Sequence, residues 1–283
     1  MNNVAGLVVL YNPPKDILSN IESYLYQINY LFIIDNTGND NSELRKKIDS
    51  YKNIEYLSLS NNLGIAKALN IGAFKAINKG YDFLLTMDQD SVASPDIISK
   101  LMNVFDEYKN AGIVAPFPVN KIYNLMPRDN LVHNVNKVIT SGSLLKLEAF
   151  QTTGPFREDL FIDYVDFEYC FRLQKKGYSI YINNNAIIYH SVGKLIKWKM
   201  LGTTFYSTNH DAIRMFYRTR NRLYIKSLYE KDFPEFFRND LNNFIKETLK
   251  ILLVEKNKLA KLKMIILGYF HYKKRKLGKF EPD

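Results

Sequence analysis

Four short apolar runs, interleaved with longer stretches of helical spacing, occupy the first 115 or so residues, and this alternation narrows the fold more than anything else in the chain. The runs cover residues 4–11, 30–36, 54–60 and 81–87; the helical stretches between them cover residues 15–27, 42–51 and 63–78. Strands alternating with helices predict a parallel, doubly wound α/β sheet. Ser94-Pro95-Asp96 reads as an N-cap with proline in the first helical position, opening a helix to Tyr108. A further strand is expected at 111–117, an irregular loop at 118–137, and a strand at 138–147 interrupted by Ser141-Gly142-Ser143. Residues 164–176 read as a helix ended by Gly177 and residues 179–189 as a strand; from Asp211 onward the pattern is helical, with breaks near Pro234 and Gly268. That divides the chain into an α/β domain, residues 1–210, and a helical extension, residues 211–283.

With 283 residues, 46% of them hydrophobic and 14% aromatic, the chain has the means to bury a sizeable core. Its single cysteine, Cys170, excludes an internal disulfide and a cysteine-based zinc site, and suits a reducing compartment. Met1-Asn2-Asn3-Val4 carries no basic n-region, so no signal peptide is expected, and no apolar stretch reaches a membrane-spanning length. The net charge of +10 is unevenly spread. From Lys194 onward there are 21 Lys and Arg against 9 Asp and Glu, a net +12, which leaves −2 for the first 193 residues. The basic third either meets an anionic partner or is a solvated face.

Four constellations can carry chemistry. Asp88-Gln89-Asp90 closes the apolar run at 81–87, where open α/β sheets bind their ligands. Carboxylates there suit a hard divalent cation such as Mg²⁺ or Mn²⁺, which would neutralise a diphosphate. A continuing strand would send Asp88 and Asp90 to opposite faces, whereas a turn after Met87 brings both to one ligand. The second constellation runs from Asp163 to Arg172, with Asp163, Asp166 and Glu168 interleaved with aromatics at a helix start. One of these carboxylates can act as a general base, or the group is a charged first turn with Arg172 as ion-pair partner. His190, at a strand end, is a metal ligand or a hydrogen-bonded strand terminus. Lastly, Asn61-Asn62-Leu63-Gly64 is a glycine turn that can admit a phosphate or sugar. It is neither a P-loop nor a dinucleotide fingerprint.

The order of these blocks resembles the family 2 inverting glycosyltransferases of GT-A fold, in their bacterial rhamnosyltransferase-like branch. The stretches that carry the likeness are Leu7 to Pro13, Ile34-Asp35-Asn36, Asn61 to Ala66, Met87 to Ser91, Thr140 to Leu144, Phe161 to Arg172, Arg214 to Asn221 and Gly278-Lys279-Phe280. The resemblance implies a Rossmann-like, mixed but mostly parallel sheet flanked by helices, with a C-terminal helical extension. It implies that Asp90, with His190, holds Mn²⁺ or Mg²⁺ and that Asp88 contacts both metal and nucleotide sugar. Asp35 would contact the base, with Tyr11 and Asn12 nearby; Asn62, Gly64, Ser141 and Gly142 would line the donor pocket. Asp166 matches the catalytic base, but Val165 replaces the acidic residue that usually precedes it, which keeps Asp163 and Glu168 as rivals. The implied reaction is inverting transfer of a sugar, dTDP-rhamnose being favoured over UDP-sugars as donor, onto a cell-surface polysaccharide or lipid-linked glycan.

In the basic third, Phe237, Leu241, Phe244, Ile245, Leu249 and Leu252 recur at helical spacing, as do Leu259, Leu262, Ile266, Tyr269 and Phe270, among Lys256, Lys258, Lys261, Lys263 and Lys273 to Lys276. A basic amphipathic helix suits an anionic bilayer, and the resemblance, with its lipid-linked acceptors, implies a cytoplasmic protein peripheral at the inner face of the cell membrane. The same stripe would also fit the core or a second copy in a homodimer. Arg214, Arg218, Arg220 and Arg222 would alternatively grip an acceptor pyrophosphate. Two rival readings stay open: a nucleotidyltransferase-like enzyme, although residues 9–14 lack the expected glycine-rich loop, and a basic protein that binds anionic surfaces on a retained fold. No nucleic-acid motif is present.

Overall fold

The computed structural model describes residues 3–39, 41–120, 126–190, 196–200, 203–207 and 209–281. The chain forms two compact units, one of Met1–Phe161 with Val165–Ser191 and one of Ile162–Tyr164 with Val192–Asp283.

In the first unit, β1 (Val4–Leu10), β2 (Tyr30–Asp35), β3 (Ile54–Ser58) and β4 (Phe83–Asp88) pair in parallel in the spatial order β3-β2-β1-β4. Every residue of β1 is buried, as a central strand covered on both faces must be. The covering helices α1 (Ile17–Leu25), α2 (Ser42–Ile48) and α3 (Ile65–Asn78) lie between the strands in sequence. Ile17, Ile21 and Tyr24 make one buried face of α1. Asn41 accepts the Leu44 N–H at 3.0 Å and so caps α2.

Beyond β4 the sheet becomes mixed. It adds β5 (Val92–Ala93), β6 (Ala111–Asn120), β7 (Val132–Asn134), β8 (Ser143–Lys146) and β9 (Ser179–His190). β8 runs antiparallel between β4 and β6, β6 runs parallel to β9, and β9 pairs antiparallel with β5 and β7. Helices α4 (Ile97–Glu107), α5 (Leu147–Thr153) and α6 (Val165–Lys175) complete this unit, with a 3₁₀ turn at Glu158–Leu160.

The structure departs from three local expectations. The α4 helix opens at Ile97 after Asp96, not at Pro95, because the Ser94 N–H is still bonded to Ile187 O at 3.1 Å. The loop expected at 118–137 is partly strand: β6 runs on to Asn120 through Pro116 and Pro118, and β7 lies within it. Among the described residues β8 pairs with β6 only at Ile113 and Val114, so the prolines meet a single ladder. The strand expected from Val138 begins only at Ser143, since residues 140–143 form a turn closed by Ser143 N–H to Thr140 O at 3.1 Å.

The second unit holds a hairpin of β10 (Ile196–Met200) and β11 (Thr203–Ser207), then α7 (Ala212–Tyr229), α8 (Pro234–Val254) and α9 (Lys258–Lys273). Pro234 opens α8, but Gly268 does not break the chain; it lies inside α9. A Cβ there would stand 2.6 Å from Phe216 O, so the glycine lets α9 press on the backbone of α7. The second break falls instead at Asn257, which has φ 56. Buried Lys261 pairs with Glu255 at 2.6 Å and reaches Asn209 Oδ1 at 2.7 Å, so it is not part of a solvated basic face. The arginines of α7 are likewise engaged. Arg214 holds Asp163, Arg218 holds Glu247, Arg222 holds Asp240, and Arg220 donates to Gly278 O and Asn221 Oδ1. The reading of this cluster as a pyrophosphate clamp gives way to internal pairing, with carboxylates for Arg214, Arg218 and Arg222 and with neutral oxygens for the buried Arg220.

The Gly268→Ala variant is expected to lose about 1–3 kcal/mol of stability, the cost of overpacking, although alanine is the better helix former. Urea unfolding followed by circular dichroism measures it.

Candidate active site

The parallel strands end side by side, and their C-terminal ends carry the polar residues. Register places Leu10 of β1 beside Asp35 of β2, and Val9 of β1 beside Asp88 of β4. Asp35 is fully buried and accepts hydrogen bonds from the Thr37 N–H at 3.0 Å and the Tyr56 hydroxyl at 2.8 Å. Next to it, Asn36 donates to Asn62 Oδ1 at 3.1 Å and accepts from the Leu63 N–H at 2.8 Å, while Asn62 also accepts from the Gly64 N–H. These amides tie the end of β2 to the glycine turn that opens α3. Gly64 has φ 88, and a Cβ on it would meet Phe161 O at 2.7 Å. The group this glycine admits here is therefore Phe161, whose carbonyl also accepts the Ile65 N–H. Asn12, with φ 46, donates its N–H to Thr37 Oγ1 at 2.9 Å, and Tyr11 exposes its ring.

The Asp88-Gln89-Asp90 segment is a turn, closed by Ser91 N–H to Asp88 O at 3.2 Å. Gln89 fixes it: its amide accepts the Tyr11 N–H at 2.9 Å and donates to Tyr11 O at 3.1 Å, and its own carbonyl takes the Asn20 side chain. A carboxamide is suited to this, having donor and acceptor on one group. Past the turn, β5 runs back along β9 with Val92 opposite Tyr189, which brings Asp90 to His190. Asp88, Asp90 and His190 each offer one donor atom, all within 4.8 Å of one another and half-buried. His190 Nδ1 lies 3.4 Å from Asp90 Oδ1 and 2.9 Å from Ser91 Oγ. Burial disfavours the charged ring, but the hydrogen bond to Asp90 and the charges of Asp88 and Asp90 outweigh it and raise its pKa above the ordinary value. Two carboxylates and an imidazole with such a negative field fit a divalent cation.

Ser141 is buried, and its hydroxyl accepts the Asp88 N–H at 3.2 Å and donates to Ser91 at 2.7 Å. Gly142 gives its N–H to Thr86 O at 2.7 Å and packs against Pro116 and Ile188. Both support the Asp88 turn from beneath.

The three carboxylates proposed as base differ sharply in setting. Asp166, in the first turn of α6, accepts the Phe167 N–H at 2.9 Å and lines a small cavity with Thr86, Thr140, Tyr169 and Cys170. That cavity puts it beside the residues leading into Asp88 and Ser141. Glu168 is 0% exposed and forms a two-pronged ion pair with Arg172, both bonds 3.0 Å. Asp163 belongs to the second unit, where Arg214 grips it at 2.7 and 2.8 Å. Gln89, Asn36 and Ser91 are site residues the sequence did not single out. The signal available was the carboxamide inside the Asp pair and the hydroxyl directly after it.

His210 of the second unit has its pKa pushed down to about 4, by burial first and then by Arg218 and Arg214. Its neutral form stabilises the fold fully above its ordinary value of 6.5, and that share declines as pH falls towards about 4. An NMR titration of its imidazole C2–H should show a midpoint near 4; a midpoint near 6.5 would mean a water-exposed ring.

The matching family description is Glycosyl transferase family 2, over residues 7–154. The dTDP-rhamnosyl transferase RfbF of Shigella flexneri is 28% identical over 286 residues, covering 94% of this chain and 94% of that protein. A poly-beta-1,6-N-acetyl-D-glucosamine synthase of Staphylococcus aureus is 24% identical over 64% of this chain, a match that spans 48% of the synthase. Among solved structures, GalNAc-T7 with UDP, GalNAc and Mn²⁺ superposes with a TM-score of 0.64 at 12% identity, over 84% of this chain and 50% of that one. S. aureus TarS 1–349 in complex with UDP-GlcNAc gives 0.55 at 12% identity, over 96% and 73%. At such identities the likeness is one of fold.

Proposed function

The chain belongs to glycosyl transferase family 2, an enzyme family of GT-A fold, and from that premise we propose that it transfers rhamnose from dTDP-rhamnose, with inversion, to a cell-surface polysaccharide or lipid-linked glycan. The observation that carries this reading is the convergence of Asp88, Asp90 and His190 at the C-terminal edge of β4. Family membership removes the nucleotidyltransferase reading. The choice of rhamnose is supported by the 28% identity to a dTDP-rhamnosyl transferase along almost the whole chain. A UDP-linked hexose is the second reading, favoured by fold neighbours that hold UDP or UDP-GlcNAc.

Asp90, His190 and Asp88 would hold Mn²⁺ or Mg²⁺. Such an ion offsets charge on a diphosphate leaving group. The buried Asp35, with Tyr11 and Asn12 nearby, would contact the base, and Asp88 the nucleotide sugar, a reading supported by their register at the ends of β2 and β4 beside β1. In the transfer, the acceptor oxygen forms a bond to the anomeric carbon as the bond from that carbon to the diphosphate oxygen breaks. The acceptor proton passes to Asp166, and the nucleoside diphosphate departs on the opposite face, so configuration inverts. Asp166 is preferred to Glu168 and Asp163 because both carboxylate oxygens of each rival are already taken by an arginine in a two-pronged pair.

The Asp166→Asn variant should keep its affinity for dTDP and lose about two orders of magnitude or more in turnover, the scale of a general base. Release of dTDP from dTDP-rhamnose, measured beside UDP-glucose, UDP-galactose and GDP-mannose with and without Mn²⁺, tests donor and metal together. Release from a UDP-hexose alone would install the second reading, and near-normal turnover of Asp166→Asn would remove that residue from the role.

The acceptor is proposed to lie at an anionic membrane. Leu241, Ile245, Leu249 and Leu253 follow one another at four-residue intervals along α8 and are 43–60% exposed. Leu259, Ile266 and Phe270 of α9 are exposed as well, among Lys258, Lys263 and Lys273. No helix among the described residues is long and apolar enough to cross a membrane, so the contact would be peripheral. Sedimentation with phosphatidylglycerol vesicles at low salt should carry the protein down, and the pair Ile245→Glu and Leu249→Glu should release it. Vesicle-independent dimers that the same pair dissolves would assign the stripe to a second copy.

A further inference from the structure

We propose that Ser91 and Ser141 form a positioning relay that fixes the His190 ring and the Asp88 main chain as one unit around the cation. This rests on the reading of Asp88, Asp90 and His190 as the cation's donors.

Both hydroxyls are deep, Ser91 at 0% and Ser141 at 1% exposure. Buried serines commonly return their proton to a nearby carbonyl, as Ser143 does with Ile139 O. Ser91 and Ser141 bond to each other instead, at 2.7 Å, fifty residues apart in the chain. The direction of the chain of bonds is set from its two ends. The Asp88 N–H can only donate, so Ser141 Oγ accepts it and has its own proton for Ser91 Oγ; a His190 ring that keeps Nε2 for the cation carries its proton on Nδ1 and donates it to Ser91 Oγ, which accepts from both sides.

These three bonds run from the last residue of β4 to the last residue of β9, strands that β8 and β6 separate in the sheet. The ladder between those strands therefore cannot hold the two ends in register with each other, and the serines do so directly. Their backbones are already fixed. Thr86 Oγ1 donates to Thr140 O, Gly142 N–H donates to Thr86 O, and Ser91 N–H donates to Asp88 O. Only two hydroxyl rotors remain to be set. Of the two contacts of Nδ1, the bond to Asp90 Oδ1 is the longer at 3.4 Å, and Ser91 Oγ at 2.9 Å holds the ring more closely. A metal-binding imidazole whose other contacts hold the ring is ordered before the ion arrives, and the loss of such a contact is felt in metal affinity.

The test is Mn²⁺ titration by electron paramagnetic resonance in the presence of dTDP. Ser91→Ala should weaken Mn²⁺ binding about 10–100-fold, with metal-free dTDP affinity and melting temperature little changed. Ser141→Ala should also weaken it, and the double variant should lose less than the product of the two single losses, because both act through one chain of bonds. Mn²⁺ affinity within twofold of the parent in a folded Ser91→Ala variant would overturn the relay. So would a parallel loss of metal-free dTDP affinity, which marks general loosening. Should Ser91→Ala fail to fold, Ser141→Ala decides by the same two readouts. Asp90→Ala separates the two levels: if it leaves Mn²⁺ binding intact, the cation-site reading falls and the relay with it, whereas loss there with no effect of either serine overturns the relay alone.

Discussion

The chemistry at the sheet edge depends on β1, a strand without an exposed residue, held between two parallel ladders. Its pairing with β2 sets Asp35 beside Leu10, and its pairing with β4 sets Asp88 beside Val9. The two carboxylates therefore leave the sheet on either side of the point where β1 ends. A slip of one residue in either ladder would turn the corresponding carboxylate to the opposite face. Burial of Val4 to Leu10 resists such a slip, since it would exchange the two covered faces of the strand. Gln89 adds a second lock by bonding both main-chain groups of Tyr11, so that the Asp88 turn cannot move without the exit of β1. Placement of charge is thus a product of apolar packing, followed by one well-chosen amide.

The second unit handles its charge differently from what its composition implies. Asp163, Asp240, Glu247 and Glu255 lie opposite Arg214, Arg222, Arg218 and Lys261. The acidic residues are spent largely on interior or half-buried pairs. The positive excess is left at exposed positions such as Lys263, Lys273, Lys274 and Lys279. Counting residues gives the same net charge as before, but its location moves from α7 to α9 and the segment after it. Arg222 shows the strain of this arrangement. Its guanidinium lies over the rings of Tyr164 and Phe244, and its buried Nη1 has no hydrogen-bond partner among the described residues.

Much of this architecture could be read from residues alone, where the controlling interactions are local. The four apolar runs became β1 to β4 with ends shifted by one or two residues, and the strand–turn chemistry after Met87 placed Asp88 and Asp90 together. Non-local effects were hidden. Gly268 looks like a breaker by propensity, yet the reason for its lack of a side chain is the carbonyl of Phe216, fifty-two positions away. The arginines of α7 resemble a phosphate clamp only until their partners are known, among them the carboxylates 18 to 51 residues distant that hold Arg222, Arg218 and Arg214. Pro116 and Pro118 argue against a strand unless one knows that β8 stops pairing at Val114. The alternation Ile196-Lys197-Trp198-Lys199-Met200 is by contrast a local strand pattern, and it forms β10.

The chain enters the second unit twice, first for only Ile162–Tyr164 and then for good after Ser191. On that first visit Asp163 and Tyr164 hold φ of 63 and 65, a region that costs bulky residues about 1–3 kcal/mol each and persists only where surroundings impose it. Here the surroundings are Asn221, which takes the Ile162 and Asp163 carbonyls, Arg214 on the Asp163 carboxylate, and Asp240 on the Tyr164 hydroxyl. The helix bearing Asp166 begins at the next residue. The helical region is therefore not a cassette that recombination could exchange at one crossover. A foreign replacement would arrive without the side chains that bend this tripeptide, and the lineage would have to rewrite three residues far upstream to accept it.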